Sequence, residues 1–128
     1  MVVGIGYEGL SLPEFLARVS ALGVSHVVDV RYAARSRKPP FNKKALAAAL
    51  SSVGVGYTHM PELGNPPSNR PGFGGSPAEL VASRAVYAGL MPSLTPLVEL
   101  ASRERVALLC FEADQSRCHR DVILSSLP

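Results

Sequence analysis

Short apolar runs alternate along the chain with segments whose apolar residues recur every three or four positions. The runs predict strands, and the helical spacing predicts amphipathic helices between them. The predicted strands are Met1–Gly6, Ser25–Val30, Val55–His59 and Val106–Phe111. Strands that alternate with helices indicate a parallel sheet with right-handed crossovers. The sequence therefore predicts one α/β domain over residues 1–128, with three layers, a mostly parallel four-stranded sheet and helices on both faces (Rossmann-like or flavodoxin-like).

Polar residues and glycines mark the predicted helix ends. Ser11 and Ser76 are each followed three residues later by a glutamate, which is a capping box. Asn42 is expected to cap a second helix with its side chain, and Gly23 and Gly54 to end the first two helices. The later helices are predicted from Thr95 to Arg103 and from Cys118 to Leu127.

Residues 61–77 hold five prolines and four glycines, so they predict a long loop without regular structure. A loop of that length inside a compact domain is usually functional or mobile. We expect it to close over a site and exclude water.

Composition is that of an ordinary globular protein, with 47% hydrophobic and 18% charged residues. No apolar run approaches membrane-spanning length. The N-terminal residues lack the basic region and cleavage site of a signal peptide. With only two cysteines, these features predict a cytoplasmic protein with free thiols and no membrane partner.

The net charge of +3 has a local origin. Residues 31–44 contain six basic residues and no acid, whereas the rest of the chain has more acids than bases. The six are Arg31, Arg35, Arg37, Lys38, Lys43 and Lys44. Such a patch attracts phosphates or another acidic partner, although a solvated loop is the ordinary alternative.

Polar or reactive residues follow each predicted strand. In open parallel sheets the ligand crevice lies outside the carboxyl ends of the strands. These ends carry Tyr7 and Glu8, Asp29 and Arg31, His59 and Glu62, and Cys110 and Glu112. The pattern predicts one shared site at this edge. The alternative for Asp29 and Arg31 is a structural ion pair with each other in place of a role in that site.

The segment Cys118-His119-Arg120 concentrates chemistry at a predicted helix start. Cys118 is expected in the first turn, where the helix dipole and neighbouring arginines favour a thiolate, and His119 is a candidate base. A partly buried cysteine beside a solvated His-Arg pair is the alternative. Cys110 is expected in the core, in preference to a disulfide or redox pair with Cys118.

Two cofactor hypotheses are disfavoured. A zinc site from Cys110, Cys118 and His119, with His59 as a further candidate, has poor ligand spacing because Cys118 and His119 are adjacent and no CxxC pair exists. The stretch from Gly4 to Gly9 matches GxGxxG, but its strand is short and the helix cap comes after it, so Gly6 and Gly9 are better explained as turn residues. We expect no metal and no cofactor.

Taken in order, these motifs resemble the family catalogued as domain of unknown function 488. The matching segments are Gly4-Ile-Gly-Tyr-Glu8, Val28-Asp-Val-Arg31, Ser36-Arg-Lys-Pro-Pro-Phe-Asn42, Tyr57-Thr-His59 with Leu63-Gly64, and Cys110-Phe-Glu112 with Cys118-His-Arg120. The resemblance implies the α/β fold and the site edge. It implies no particular activity.

Two functional hypotheses follow. The first is a small cytosolic enzyme that acts on a phosphate-bearing ligand, either a nucleotide or a nucleic acid. The second is a non-catalytic nucleic-acid or anion-binding module with a structural Cys-His-Arg cluster; a subunit of a larger assembly is a third possibility. The catalytic candidates are Cys118, His119, Glu112 and His59. The candidates for ligand or phosphate binding are Tyr7, Asp29, Arg31, Arg35, Arg37, Asn42 and Arg120.

Overall fold

Four parallel strands form the centre of the protein in a computed structural model that describes residues 1–128. The strands are β1 (Val2–Gly6), β2 (His26–Asp29), β3 (Gly56–His59) and β4 (Val106–Cys110). The helices are α1 (Leu12–Leu22), α2 (Lys43–Ser52), α3 (Arg70–Phe73), α4 (Pro77–Leu90), α5 (Thr95–Ala101) and α6 (His119–Ser126). None of these helices has the length and apolar composition needed to cross a membrane.

The strand order is β1-β4-β2-β3, which places β4 inside the sheet. Leu108 pairs with Gly4 on one side and with Val28 on the other. The three-layer α/β prediction is confirmed. The order differs from those of the classic Rossmann and flavodoxin folds, so that finer likeness is not confirmed.

Each face of the sheet has its own core because side chains alternate along a strand. Val27 and Leu109 point towards α1 and α2, where Phe15 and Leu46 are buried. The residues next to them in sequence point to the opposite face, where helices α3 to α6 pack. Burial on both faces explains why β4 is an unbroken apolar run.

Most of the predicted helix ends are confirmed. Ser11 and Ser76 both form capping boxes, and Gly23 and Gly54 adopt left-handed backbone conformations with φ of 66° and 76°. The prediction for Asn42 is wrong in one respect, because its side chain caps nothing in α2. Its Oδ1 instead accepts a hydrogen bond from the Ser36 amide at 2.6 Å. This bond folds the basic loop, the segment between β2 and α2 that holds Arg31, Arg35, Arg37 and Lys38.

The prediction of an irregular loop over residues 61–77 is wrong. This segment contains α3 and two 3-10 turns, Pro61–Leu63 and Pro67–Asn69. Prolines occupy the first position of both 3-10 turns and the second position of α3, where their missing amide hydrogen costs nothing. Leu63 and Phe73 anchor the segment in the core.

The last helix begins at His119, and Cys118 is its N-cap residue with an extended backbone (φ −137°, ψ 145°). The prediction that Cys118 lies in the first helical turn is therefore wrong. Asp114 does act as a cap, but for the preceding 3-10 turn, Gln115–Arg117. The extended conformation at Cys118 turns its side chain away from the direction a helical residue would take.

Replacing Ser11 with alanine should lower the free energy of unfolding by about 1 kcal/mol, because the Glu14 amide loses its side-chain acceptor, the Ser11 hydroxyl oxygen. The other bond of the capping box is donated by the Ser11 backbone amide, which alanine retains. Urea denaturation followed by circular dichroism measures the change. Ser20→Ala, at an exposed position inside α1, is the matched control and should be neutral or slightly stabilising. Equal effects of the two substitutions would contradict the prediction.

Candidate functional site

A cavity of about 380 Å³ opens at the carboxyl edge of the sheet. Tyr7 after β1, Arg31 after β2 and Cys110 at the end of β4 line it, together with His119 at the start of α6. The loop after β2, the residues after β4 and residues between Asn65 and Phe73, in the segment that follows β3, complete the wall. The sheet edge predicted from the sequence therefore carries a shared cavity.

Positive charge dominates the cavity wall. Arg31, Arg35, Arg37 and Arg70 line it, and Glu112 is the one acidic residue among the lining side chains. Arg35, Arg37 and Arg70 are exposed, so their guanidinium groups can reach a ligand in the cavity. A concave surface with this charge attracts anions.

Arg31 differs from the other three because it is buried and fully engaged. Its Nε and Nη2 donate to both oxygens of Asp29, at 2.9 and 2.7 Å, and its Nη1 donates to the Phe41 carbonyl at 2.7 Å. Tyr57 donates a further hydrogen bond to Asp29 at 2.5 Å. Burial alone would lower the pKa of Arg31, but the bonds and charge of Asp29 raise it above its ordinary value. The pair fixes the start of the basic loop.

Two thiols and an imidazole meet at the base of the cavity. His119 Nε2 lies 2.7 Å from the Val30 carbonyl oxygen. A carbonyl only accepts hydrogen bonds, so Nε2 carries the proton. Nδ1 therefore faces the sulfurs of Cys118 and Cys110, at 3.7 and 3.9 Å. Cys110 lines the cavity, whereas Cys118 is 1% exposed and lies behind it.

The two thiols have opposite acidities. Burial raises the pKa of Cys118, but hydrogen bonds from Cys110 and His119 and the nearby charge of Arg120 lower it to about 3 overall. The hydrogen bond to Cys118, together with burial, raises the pKa of Cys110 well above its usual value. The pair thus gives up one proton readily and retains the other.

Glu112 and Arg120 flank the thiols. Burial and the charge of Cys118 raise the pKa of Glu112, whose Oε1 lies 3.7 Å from Arg70 Nη2. Arg120 is buried and donates from Nη2 to the Glu112 carbonyl at 2.6 Å, while its Nε and Nη1 have no partner. Arg120 therefore holds the loop after β4 and adds a buried positive charge.

Six of the residues singled out from the sequence line the cavity: Tyr7, Arg31, Arg35, Arg37, Glu112 and His119. Five others do not: Asp29, Asn42, His59, Cys118 and Arg120. His59 donates a hydrogen bond from Nε2 to the Arg31 carbonyl at 2.8 Å, which ties the start of the basic loop to the end of β3. The alternative of a solvated His-Arg pair is wrong, because His119 and Arg120 are both buried. The catalytic and binding roles stay predictions.

Cys110 was predicted at this sheet edge as a core residue, and it is both buried and part of the cavity wall. Asn65 and Arg70, which also line the cavity, were not predicted. The sequence does indicate the direction of the Cys110 side chain. Cys110 lies two positions after Leu108 and four after Val106, so all three point to the same face of β4, towards α6. No sequence pattern marks Asn65 and Arg70 as lining residues, because their place in the cavity wall depends on the path that the segment after β3 takes in the folded protein.

Comparisons with known proteins add a family but no activity. No curated protein and no solved structure matches the chain. The family match covers the basic loop and the Cys-His-Arg segment, while Gly4–Glu8 lies before it. Residues 11–127 match the family model described as Domain of unknown function DUF488, and the chain belongs to that family.

Proposed function

We propose that the protein is a thiol-dependent enzyme that acts on a phosphate-bearing ligand bound in this cavity. One observation carries the proposal: Cys110 and His119 line the same cavity as four arginines. Phosphate groups bind guanidinium groups through strong, charge-assisted hydrogen bonds. A ligand held by those groups would have its remaining atoms next to a sulfur.

Binding would use the exposed arginines. Arg35 and Arg37 lie on the loop after β2, and Arg70 approaches from α3. A volume of about 380 Å³ lies in the range of ordinary small-molecule pockets. These features favour a nucleotide or the end of a nucleic-acid strand as the ligand.

The thiol chemistry would begin at Cys110, since Cys118 has no access to the cavity. The Cys110 sulfur would form a bond to an electrophilic atom of the ligand, and its proton would pass to the neighbouring Cys118 thiolate, the group to which Cys110 is hydrogen-bonded. The bond between that atom and its leaving group would break, and its electron pair would leave with the displaced group, which takes a proton from Glu112 or water. Cys118 would thus act as the proton acceptor for Cys110 without itself contacting the ligand. This moves the nucleophile from Cys118, as predicted from the sequence, to Cys110.

A specific observation also favours the non-catalytic alternative. Cys118, His119 and Arg120 are all buried, as expected of a structural cluster beneath an anion-binding surface. In that case oligonucleotide binding would survive Cys110→Ala and would fall steeply with salt.

Both cysteines are free, which fits the reducing cytoplasm predicted from the sequence.

The test compares an anionic with a neutral alkylating reagent on the chelator-treated protein. The ratio of the iodoacetate rate to the iodoacetamide rate should be on the order of ten times higher for Cys110 than for a free thiol, because the arginines concentrate the anion. Inorganic pyrophosphate should protect Cys110 from both reagents. Mass spectrometry locates the adduct.

Removing Arg35 and Arg37 together, by substitution with alanine, should abolish most of that preference. Arg103→Ala is the matched control, because Arg103 is exposed and precedes β4 at the opposite edge of the sheet. The proposal fails if Cys110 resists both reagents in the folded protein. It also fails if the preference for iodoacetate is absent or unaffected by the double substitution.

A further inference from the structure

We infer that Cys110, Cys118 and His119 form a binding site for a thiophilic transition-metal ion, best exemplified by Zn²⁺. Their three ligand atoms lie within 4.8 Å of one another, and all three residues are buried. Nothing in the proposed function requires this site. A bound ion would occupy both sulfurs and so would silence the thiol chemistry.

The spacing of the ligand atoms matches tetrahedral zinc. With Zn–S of about 2.3 Å and Zn–N of about 2.0 Å, the sulfur and nitrogen atoms of one site lie about 3.6 Å apart. The His119 nitrogen lies 3.7 Å from the Cys118 sulfur and 3.9 Å from the Cys110 sulfur. Small movements would bring all three atoms onto one ion.

The histidine is oriented as a metal ligand should be. Zinc-binding histidines usually donate the N–H of the second ring nitrogen to a carbonyl or carboxylate, which fixes the tautomer and the ring. His119 does this with the Val30 carbonyl, which directs Nδ1 towards the two sulfurs. The extended backbone of the N-cap residue removes the objection that Cys118 and His119 are adjacent, since their side chains converge on one point.

Charge and access also fit an ion. Two thiolates would cancel the charge of a divalent cation, so the bound ion would bury no net charge. Cys110 and His119 both line the cavity, which leaves the fourth coordination position open towards it. Glu112 lies there with a buried, unpartnered Oε2. The set resembles a catalytic zinc site, with three protein ligands and one open position.

The experiment uses the full chain, reduced and freed of metal by a chelator. Zn²⁺ should bind with one equivalent per chain in competition with a chromogenic chelator. Co²⁺ should give a thiolate-to-metal charge-transfer band and the visible bands of tetrahedral coordination. His119→Gln should weaken binding on the order of a hundredfold, because even the loss of an outer partner costs up to that much. His26→Gln, at the opposite sheet edge, should leave binding unchanged.

Circular dichroism checks that His119→Gln folds, and the pair Cys110→Ala and Cys118→Ala provides independent tests of the sulfurs. Absence of the charge-transfer band would overturn the inference, as would unchanged affinity in all three ligand variants. The outcome is separable from the proposed function. Failure to bind zinc, with Cys110 still reactive towards iodoacetate, removes the metal site alone. Tight zinc binding, with an inert thiol in the metal-free protein, supports the metal site and removes the thiol enzyme.

Discussion

Replacing Asp29 with asparagine should lower the free energy of unfolding by about 3–5 kcal/mol, because Arg31 would remain buried without a countercharge. Asp29 is completely buried and Arg31 is 5% exposed, so water cannot compensate the loss. Typical domains are stable by only about 5–15 kcal/mol, so the effect is a large fraction of the total. Urea denaturation followed by circular dichroism measures it.

Asp121→Asn is the matched control for this substitution. Asp121 pairs with Arg84 at 2.9 Å, but both side chains are about 30% exposed, and such pairs contribute roughly 0–1 kcal/mol. The double variant Asp29→Asn with Arg31→Met should lose less than the sum of its single substitutions, because no unpaired charge remains. A loss below about 1 kcal/mol for Asp29→Asn would show that the pair does not hold a buried charge.

Replacing Gly6 with alanine should cost about 3 kcal/mol of folding stability, at the upper end of overpacking effects. A Cβ atom at this position would lie 2.0 Å from the Glu112 carbonyl oxygen, which belongs to the backbone and cannot rotate away. The loop after β4 would have to move, and with it the hydrogen bond from Arg120 to that carbonyl. Since the loop carries Glu112 into the cavity, the reactivity of Cys110 towards iodoacetate should change as well.

Gly89→Ala is the control, because it lies inside α4 and an added Cβ would meet nothing within 4 Å. Alanine there should be neutral or stabilising by about 0.5–1 kcal/mol. Thermal unfolding of both variants, together with alkylation rates, measures the difference. Equal stability of the two variants would contradict the close approach of β1 and the loop.

The Gly6 example also shows why the sequence was misleading at the first strand. Gly6 belongs to a pattern that predicts a turn or a nucleotide-binding loop, but its φ is not positive. A glycine is needed there because the backbone of the loop after β4 approaches too closely to leave room for a Cβ atom. Gly9, with φ of 76°, does serve a turn as predicted. A short motif cannot distinguish these uses, because one depends on local backbone torsion and the other on a distant loop.

Asp29 and Cys110 illustrate the same limit within the candidate site. The sequence placed both at strand carboxyl ends, and the structure has them there. However, neighbouring positions of a strand point to opposite faces of the sheet, and the two faces have different partners. A difference of one position therefore decides whether a side chain faces the cavity or the core beneath it. Asp29 faces Tyr57 and Arg31, whereas Cys110 faces α6 and the cavity.

The sequence by itself determined the order of the strands and the longer helices along the chain, the capping boxes, the parallel sheet and the sheet edge that carries the cavity. Each of these depends on residues close together in the chain, through hydrophobic period, turn chemistry and the requirement that parallel strands be joined by crossovers. Only the tertiary structure decided the strand order, the use of Arg31 as a buried structural cation and the meeting of Cys110, Cys118 and His119. Those features depend on contacts between distant segments, whose distances are set by the packing of whole elements and not by local preference.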